Sequence, residues 1–94
     1  MTTEQLKDRT KQFAVRGIHL VTSLPKNVVS NVLGHQFLKA CTSVGANYRE
    51  ADESAYWLEL MAIAGLVPVK RLSALLDEAN ELTARNSQLA TRNS

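Results

Sequence analysis

Cysteine occurs once, proline twice and glycine four times in the 94 residues. The single thiol, Cys41, excludes an internal disulfide and a zinc site built from several cysteines. So few prolines and glycines cannot punctuate the many turns of a strand-rich domain. Aromatic residues are 5% of the chain, which leaves little for stacking on bases. Neither charge sign dominates: 11 bases against 9 acids give +2, too balanced to announce a nucleic-acid binder. The longest apolar stretch, Leu60 to Val69, is broken by Gly65 and Pro68 and falls far short of the roughly 20 residues a membrane helix needs. Met1 to Gln12 is polar and mixed in charge, unlike a secretory signal. A lone thiol without such a signal predicts a cytoplasmic protein.

What is present favours helix. Hydrophobic residues are 45% of the chain, enough for a packed core, and Ala, Leu, Glu, Lys, Gln and Arg are abundant. The length predicts one domain over residues 1–94. Four segments repeat their apolar residues at the helical period. The first, Thr3 to Ser23, aligns Leu6, Phe13, Gly17, Leu20, Val21 and Leu24 before Pro25 stops it. The second, Asn27 to Arg49, has Asn27 as N-cap and aligns Val29, Val32, Leu33, Gln36, Phe37, Ala40, Val44 and Tyr48. Gly45 lies inside that pattern, where a neighbouring helix would have to approach closely. The third, Glu53 to Ala64, is apolar nearly all round, which predicts an enclosed helix with Asp52 as N-cap and Gly65 just past its end. Trp57 is expected to be buried there between the second and fourth helices. The fourth, Val69 to Arg92, aligns Leu72, Leu75, Leu76, Ala79, Leu82 and Leu89, with Glu81 and Arg85 as an exterior pair.

Charge is unevenly placed. Residues 1–49 carry seven bases and two acids, a net +5, whereas residues 50–70 carry one base and four acids, a net −3. Lys7 with Lys11, and Arg9 with Arg16, flank the apolar stripe of the first helix and are the candidate nucleic-acid contacts, by phosphate neutralisation. Glu59 is the one charge within the apolar run 56–64 and is expected to be a structural buried carboxylate, with Arg49, Lys39 or Arg71 as its partner. His19 and His35 fall on outward faces of different helices without a second ligand at helical spacing, so no metal site is expected. Cys41 has no adjacent base to activate it and reads as a small buried hydrophobe. Asp77, Glu78 and Glu81 lie off the leucine stripe, without the Glu-x-x-His pairs of a di-metal bundle, and read as a solvated face. No phosphate-binding loop or catalytic triad pattern occurs, so no catalytic residue, cofactor or small-molecule substrate is expected. Val15 and Leu38 are expected to be exposed apolar residues that favour self-association.

Four stretches read together: Leu24-Pro25-Lys26; Thr42-Ser43-Val44-Gly45-Ala46-Asn47-Tyr48-Arg49-Glu50-Ala51; Tyr56-Trp57-Leu58-Glu59-Leu60; and Leu75-Leu76-Asp77-Glu78-Ala79-Asn80-Glu81-Leu82. They resemble a bacterial four-helix-bundle family named after reading frames in intervening sequences of large-subunit ribosomal RNA genes. The resemblance implies an antiparallel up-down bundle without a catalytic centre. Among relatives, the accessory proteins of diversity-generating retroelements form homopentamers, bind nucleic acid and contact a reverse transcriptase. The chain departs from the family pattern between Ala51 and Tyr56, where relatives have several more helical turns. A third helix of about 12 residues would span about 18 Å against about 30 Å for its neighbours. A deletion, a segment absent from this sequence, or fusion of the second and third helices into one rod that pairs across subunits would each account for this.

The expectation is therefore an all-α, antiparallel up-down four-helix bundle with a shortened third helix. Its expected role is non-enzymatic: a homo-oligomer that docks RNA, DNA or a nucleic-acid enzyme. The alternative is a small regulatory protein that binds a protein partner and no nucleic acid.

Overall fold

Thr2 starts the first helix by a reciprocal cap. Its hydroxyl accepts from the Gln5 amide at 3.1 Å, and its own amide donates to Gln5 Oε1 at 2.8 Å. In the computed structural model, which describes residues 2–45 and 48–93 and their side chains except at 48 and 85–93, four helices follow in order. They are α1 (Thr3–Thr22), α2 (Val28–Cys41), α3 (Tyr48–Ile63) and α4 (Val69–Asn93), and no strand occurs among the described residues. Connections of five or six residues force each helix antiparallel to the one before it. α1 packs on α2 and α4, and α3 packs on the same two, so α1 and α3 stand at diagonal corners of a bundle 43 × 22 × 19 Å in extent.

Local chemistry explains the boundaries. Asn27 caps α2 as expected, its Oδ1 accepting from the Ser30 amide at 2.8 Å. Gly65 takes the left-handed conformation (φ +74°) past α3, and the Leu66 amide closes the turn onto the Met61 carbonyl at 3.0 Å. The break between α2 and α3 differs from expectation. α2 ends at Cys41 rather than Arg49, and α3 begins at Tyr48 rather than Glu53. Thr42 and Ser43 cause this: their hydroxyls donate to the carbonyls of Leu38 and Lys39 at 2.8 Å each, satisfying the end of α2 in place of further turns. Gly45 then lies past the helix, Asp52 lies inside α3, and the two helices are separate rather than one rod. The shortfall is shared: α2 has 14 residues and α3 has 16, against 20 and 25 for α1 and α4.

The core runs through Leu6, Phe13, Leu20, Phe37, Val44, Leu58, Met61, Leu72, Leu75, Ala79 and Leu82. Phe13 and Phe37 meet edge to face, with ring centroids 6.5 Å apart. α2 is rotated relative to its expected stripe. Val29 and Val32 are exposed, and Ser30, Gly34, Phe37 and Cys41 face inward. Space decides this. A Cβ at Gly34 would stand 3.1 Å from Leu24 Cδ1, and one at Gly17 would stand 2.5 Å from Cys41 Sγ and 3.1 Å from the Phe37 ring. α1 and α2 approach through small residues, so a valine cannot occupy that seam. α3 is likewise a corner helix with an outer face rather than an enclosed one: Tyr56 and Ile63 are exposed. Trp57 is half-buried, not fully enclosed, with its ring edge to face with Tyr56 at 5.0 Å.

The two glycine contacts predict opposite responses to alanine. At Gly17 the added methyl meets a fully buried sulfur and a fully buried ring. Overpacking should then exceed the ~1 kcal/mol helix-propensity gain and destabilise by a net ~1–2 kcal/mol. Adding Cys41→Ala should recover part of that loss. At Gly34 the neighbour is the end of a half-buried leucine that can move, so Gly34→Ala should be neutral or slightly stabilising. Urea denaturation of the three variants checks both statements.

Candidate nucleic-acid interface

The four basic residues singled out on α1 separate in the structure. Arg9 turns toward α4 and is half-buried. Its guanidinium donates from Nε to Glu78 Oε2 at 3.1 Å and from Nη2 to Glu78 Oε1 at 2.5 Å, a two-point contact. The hydrogen bond to Glu78 raises the Arg9 pKa above its ordinary value against the opposing effect of burial, and the charges of Glu78 and Glu81 add to it. Arg9 is thus a strut between the first and last helices rather than a phosphate contact. Glu78 and Glu81 are correspondingly half-buried, which corrects their reading as a solvated face, while Asp77 is exposed.

Lys7, Lys11 and Arg16 are exposed. Lys7 stands 3.9 Å from Glu4, a loose contact between two well-exposed groups that contributes little. Arg16 belongs to a cluster that the linear pattern did not reveal. It is seven residues beyond Arg9, and Arg71 is seven residues before Glu78. In an antiparallel pair, the register that joins 9 to 78 therefore brings 16 to 71. Arg16, His19 and Arg71 line one groove of about 440 Å³ between α1 and α4, with Val15, Ala74 and Leu75 as its apolar wall. Arg71 is held there by donating from Nη1 to Ser23 Oγ at 2.9 Å. Two guanidinium groups and an imidazole at one groove suit an anionic oxygen-rich ligand.

The remaining candidates are placed as follows. Glu59 is exposed, and so is Arg49, so the expected buried carboxylate and its cationic partner are surface groups. The corner position of α3 explains it: Glu59 lies on the outer face with Asp52, Tyr56 and Ile63. Arg49 lines a shallow polar groove with Glu50, Asp52, Glu53 and Tyr56. His35 lies on α2 beside Lys26, Asn31 and Ser30, at a second groove of about 370 Å³ where α1 turns into α2. Cys41 is buried as expected, its thiol 3.5 Å from the Leu38 carbonyl, and burial pushes its pKa from 9.0 up to about 12. A thiol so protected carries no nucleophilic chemistry at neutral pH. Among the described residues, no three His, Cys, Asp or Glu side chains converge as a metal site. No helix of the described residues is long and apolar enough to cross a membrane.

No family model matches the chain, and no curated protein sequence matches it. A solved structure does. A protein of unknown function from the S23 ribosomal protein family of Bacteroides thetaiotaomicron VPI-5482 is similar at a TM-score of 0.80 and 25% identity, over 89% of this chain and 93% of that one. That protein and this one share an all-α four-helix bundle across nearly their whole lengths.

The buried thiol gives a pH signature. In the unfolded chain Cys41 ionises near 9.0, whereas in the folded chain it holds its proton to about 12. The neutral thiol is thus favoured by folding, and stability is fully present below pH 9 and lost as pH rises beyond it. Relative to Cys41→Ala, the parent should lose up to ~1.4 kcal/mol per pH unit above pH 9, and the difference should be constant below it. Denaturant titrations of both chains between pH 7 and 11 read this out.

Proposed function

We propose that this chain is a non-enzymatic assembly protein of the cytosol that forms a homo-oligomer and docks nucleic acid. The observation that carries the docking half is the convergence of Arg16, His19 and Arg71 on the α1–α4 groove. Among the described residues no carboxylate lines it, so the groove presents a positive field to a phosphate backbone. Contacts of this type neutralise phosphates and release counterions, giving salt-sensitive and sequence-tolerant binding. With Tyr56 and Trp57 packed edge to face and Phe13 and Phe37 fully buried, few rings remain to read bases. The likeness to a solved bundle of the S23 ribosomal protein family, itself of unknown function, supports the shared bundle fold and is compatible with an RNA-associated role.

A second reading, a partner-binding protein with no nucleic-acid role, is favoured by a different observation. Val28, Val29 and Val32 on α2, Ile63 at the end of α3 and Val69 at the start of α4 are all more than half exposed. They gather toward the end of the bundle that carries the α1–α2 and α3–α4 turns, and uncovered apolar surface of this kind suits protein contacts.

Titration of labelled RNA and duplex DNA at low and physiological salt separates the two. The parent should bind weakly at low salt and lose affinity steeply as salt rises. Arg16→Gln with Arg71→Gln should reduce the salt slope by about 2, as expected for two lost phosphate contacts. Arg9→Gln should lower thermal stability and leave the slope nearly unchanged. Absence of binding by the parent at low salt replaces the nucleic-acid reading by the protein-partner reading.

A further inference from the structure

Ser30 is 2% exposed, and its hydroxyl is buried without a hydrogen-bond partner. Its place in the helix explains why. A serine inside a helix ordinarily donates to the carbonyl four residues back. Ser30 is the third residue of α2, so that carbonyl belongs to Lys26, ahead of the Asn27 cap and outside the helix. A buried hydroxyl in this state is uncommon and calls for a partner. Ser30 also lines the groove of about 370 Å³ where α1 turns into α2. Beside it at the elbow stand Lys26 and Asn31, both exposed. From there the groove follows the α1–α2 seam past Leu24, Val21 and Gly34 to Leu38, with His35 at its rim. Ser30 and Leu38 are about 12 Å apart along α2 at the helical rise. Among the described residues no carboxylate lines this groove, and α2 carries no acid in its first turn to offset the positive end of its dipole.

We propose that this groove binds a small amphipathic monocarboxylate. Its head lies at the elbow among Ser30, Lys26 and Asn31, and its apolar body lies along the seam over Leu24 and Val21. The two ends of the groove select that class. Ser30 and Asn31 can donate to carboxylate oxygens, and Lys26 balances a single negative charge. A phosphate dianion would exceed that one cation, and an ammonium head would meet Lys26 as like charge. An inorganic anion would leave the apolar wall in water. The groove is of the size of small-molecule sites, which run from about 300 to 1,000 Å³. The cluster of Arg16, His19 and Arg71 lies on the α4 side of α1 and shares no lining residue with this groove, so the site is independent of the nucleic-acid reading.

Octanoate is the probe, titrated into the isotope-labelled full chain while backbone amide shifts are followed by NMR. The amides of Ser30, Asn31, Gly34 and His35 should shift and saturate. Octylamine, with the same chain length, should bind about tenfold more weakly, and inorganic phosphate should give no saturation. Ser30→Ala should weaken octanoate binding about tenfold, because a hydrogen bond to a charged group is lost. The same variant should melt no lower than the parent, because the hydroxyl makes no bond in the free chain. Lys26→Gln should weaken binding about threefold, as expected for an exposed charge. Both changes spare the fold: Lys26 is exposed, and the Asn27 cap accepts from the Ser30 backbone amide at 2.8 Å, which alanine retains. Shifts that do not saturate, octylamine binding as tightly as octanoate, or parental affinity in both variants would each overturn the proposal. So would a lowered melting temperature of Ser30→Ala with octanoate affinity unchanged, which would assign the hydroxyl a purely structural role.

Discussion

The narrow seam between α1 and α2 sets the rest of the structure. Gly17 has no side chain because Cys41 Sγ and the Phe37 ring fill the space beside it, and Gly34 lets Leu24 and Val21 close on α2 from the other side. Once those small residues must face α1, the rotational phase of α2 is fixed. Phe37 then reaches Phe13 in the core, and Val28, Val29 and Val32 are carried to the outside. The thiol is part of the same constraint. It fills volume that a larger group would overfill, and its burial is what keeps it protonated. Apolar surface on α2 is therefore a product of how tightly its opposite face is packed.

A second constraint sets the axial register. The two-point contact between Arg9 and Glu78 ties α1 to α4, and one heptad away along each helix Arg16 comes level with Arg71. A structural ion pair thereby builds a cationic groove at a distance. Arg9 and Arg16 share a flank of α1 and differ in role because their opposite numbers on α4 differ in sign. The fate of Glu59 and Arg49 follows the same logic. α3 packs on two neighbours rather than three, so it has an outward face, and charged groups on that face remain in water.

The fold was legible in the sequence because it rests on few and strong signals. The leucines and phenylalanines of α1 and α4 repeat at helical spacing, Asn27 and Gly65 mark helix ends, and Pro25 stops the first segment. The α2 stripe was misread because valine outranks serine and glycine on any hydrophobicity scale, while the phase was decided by close approach, which no scale records. The helix break at 42–47 was hidden because Val44 continues the apolar period, and the competing Thr42 and Ser43 hydroxyls act through the backbone. Trp57 and Glu59 were placed too deep on a run of apolar letters that does not reveal how many neighbours a helix has. Of the candidate interface, Arg16 was legible alone. Arg71 required the register between the ends of the chain, which the Arg9–Glu78 pairing supplies and sequence spacing by itself does not.

That pairing also has a kinetic side. α2–α3 and α3–α4 are the most extensive helix contacts, and each joins neighbours in the chain. The contact that closes the bundle joins residues 69 positions apart, so it must await closure of a long loop. α1 and α4 lie side by side, with the start of one and the end of the other toward the same end of the bundle. A circularly permuted chain, with a linker between those ends and an opening in the turn between α2 and α3, would keep every helix pair while making α1–α4 a sequence-local hairpin. The order in which the helices assemble would then change while the folded bundle stayed the same, because the loop closure would have moved from the α1–α4 seam to the α2–α3 seam.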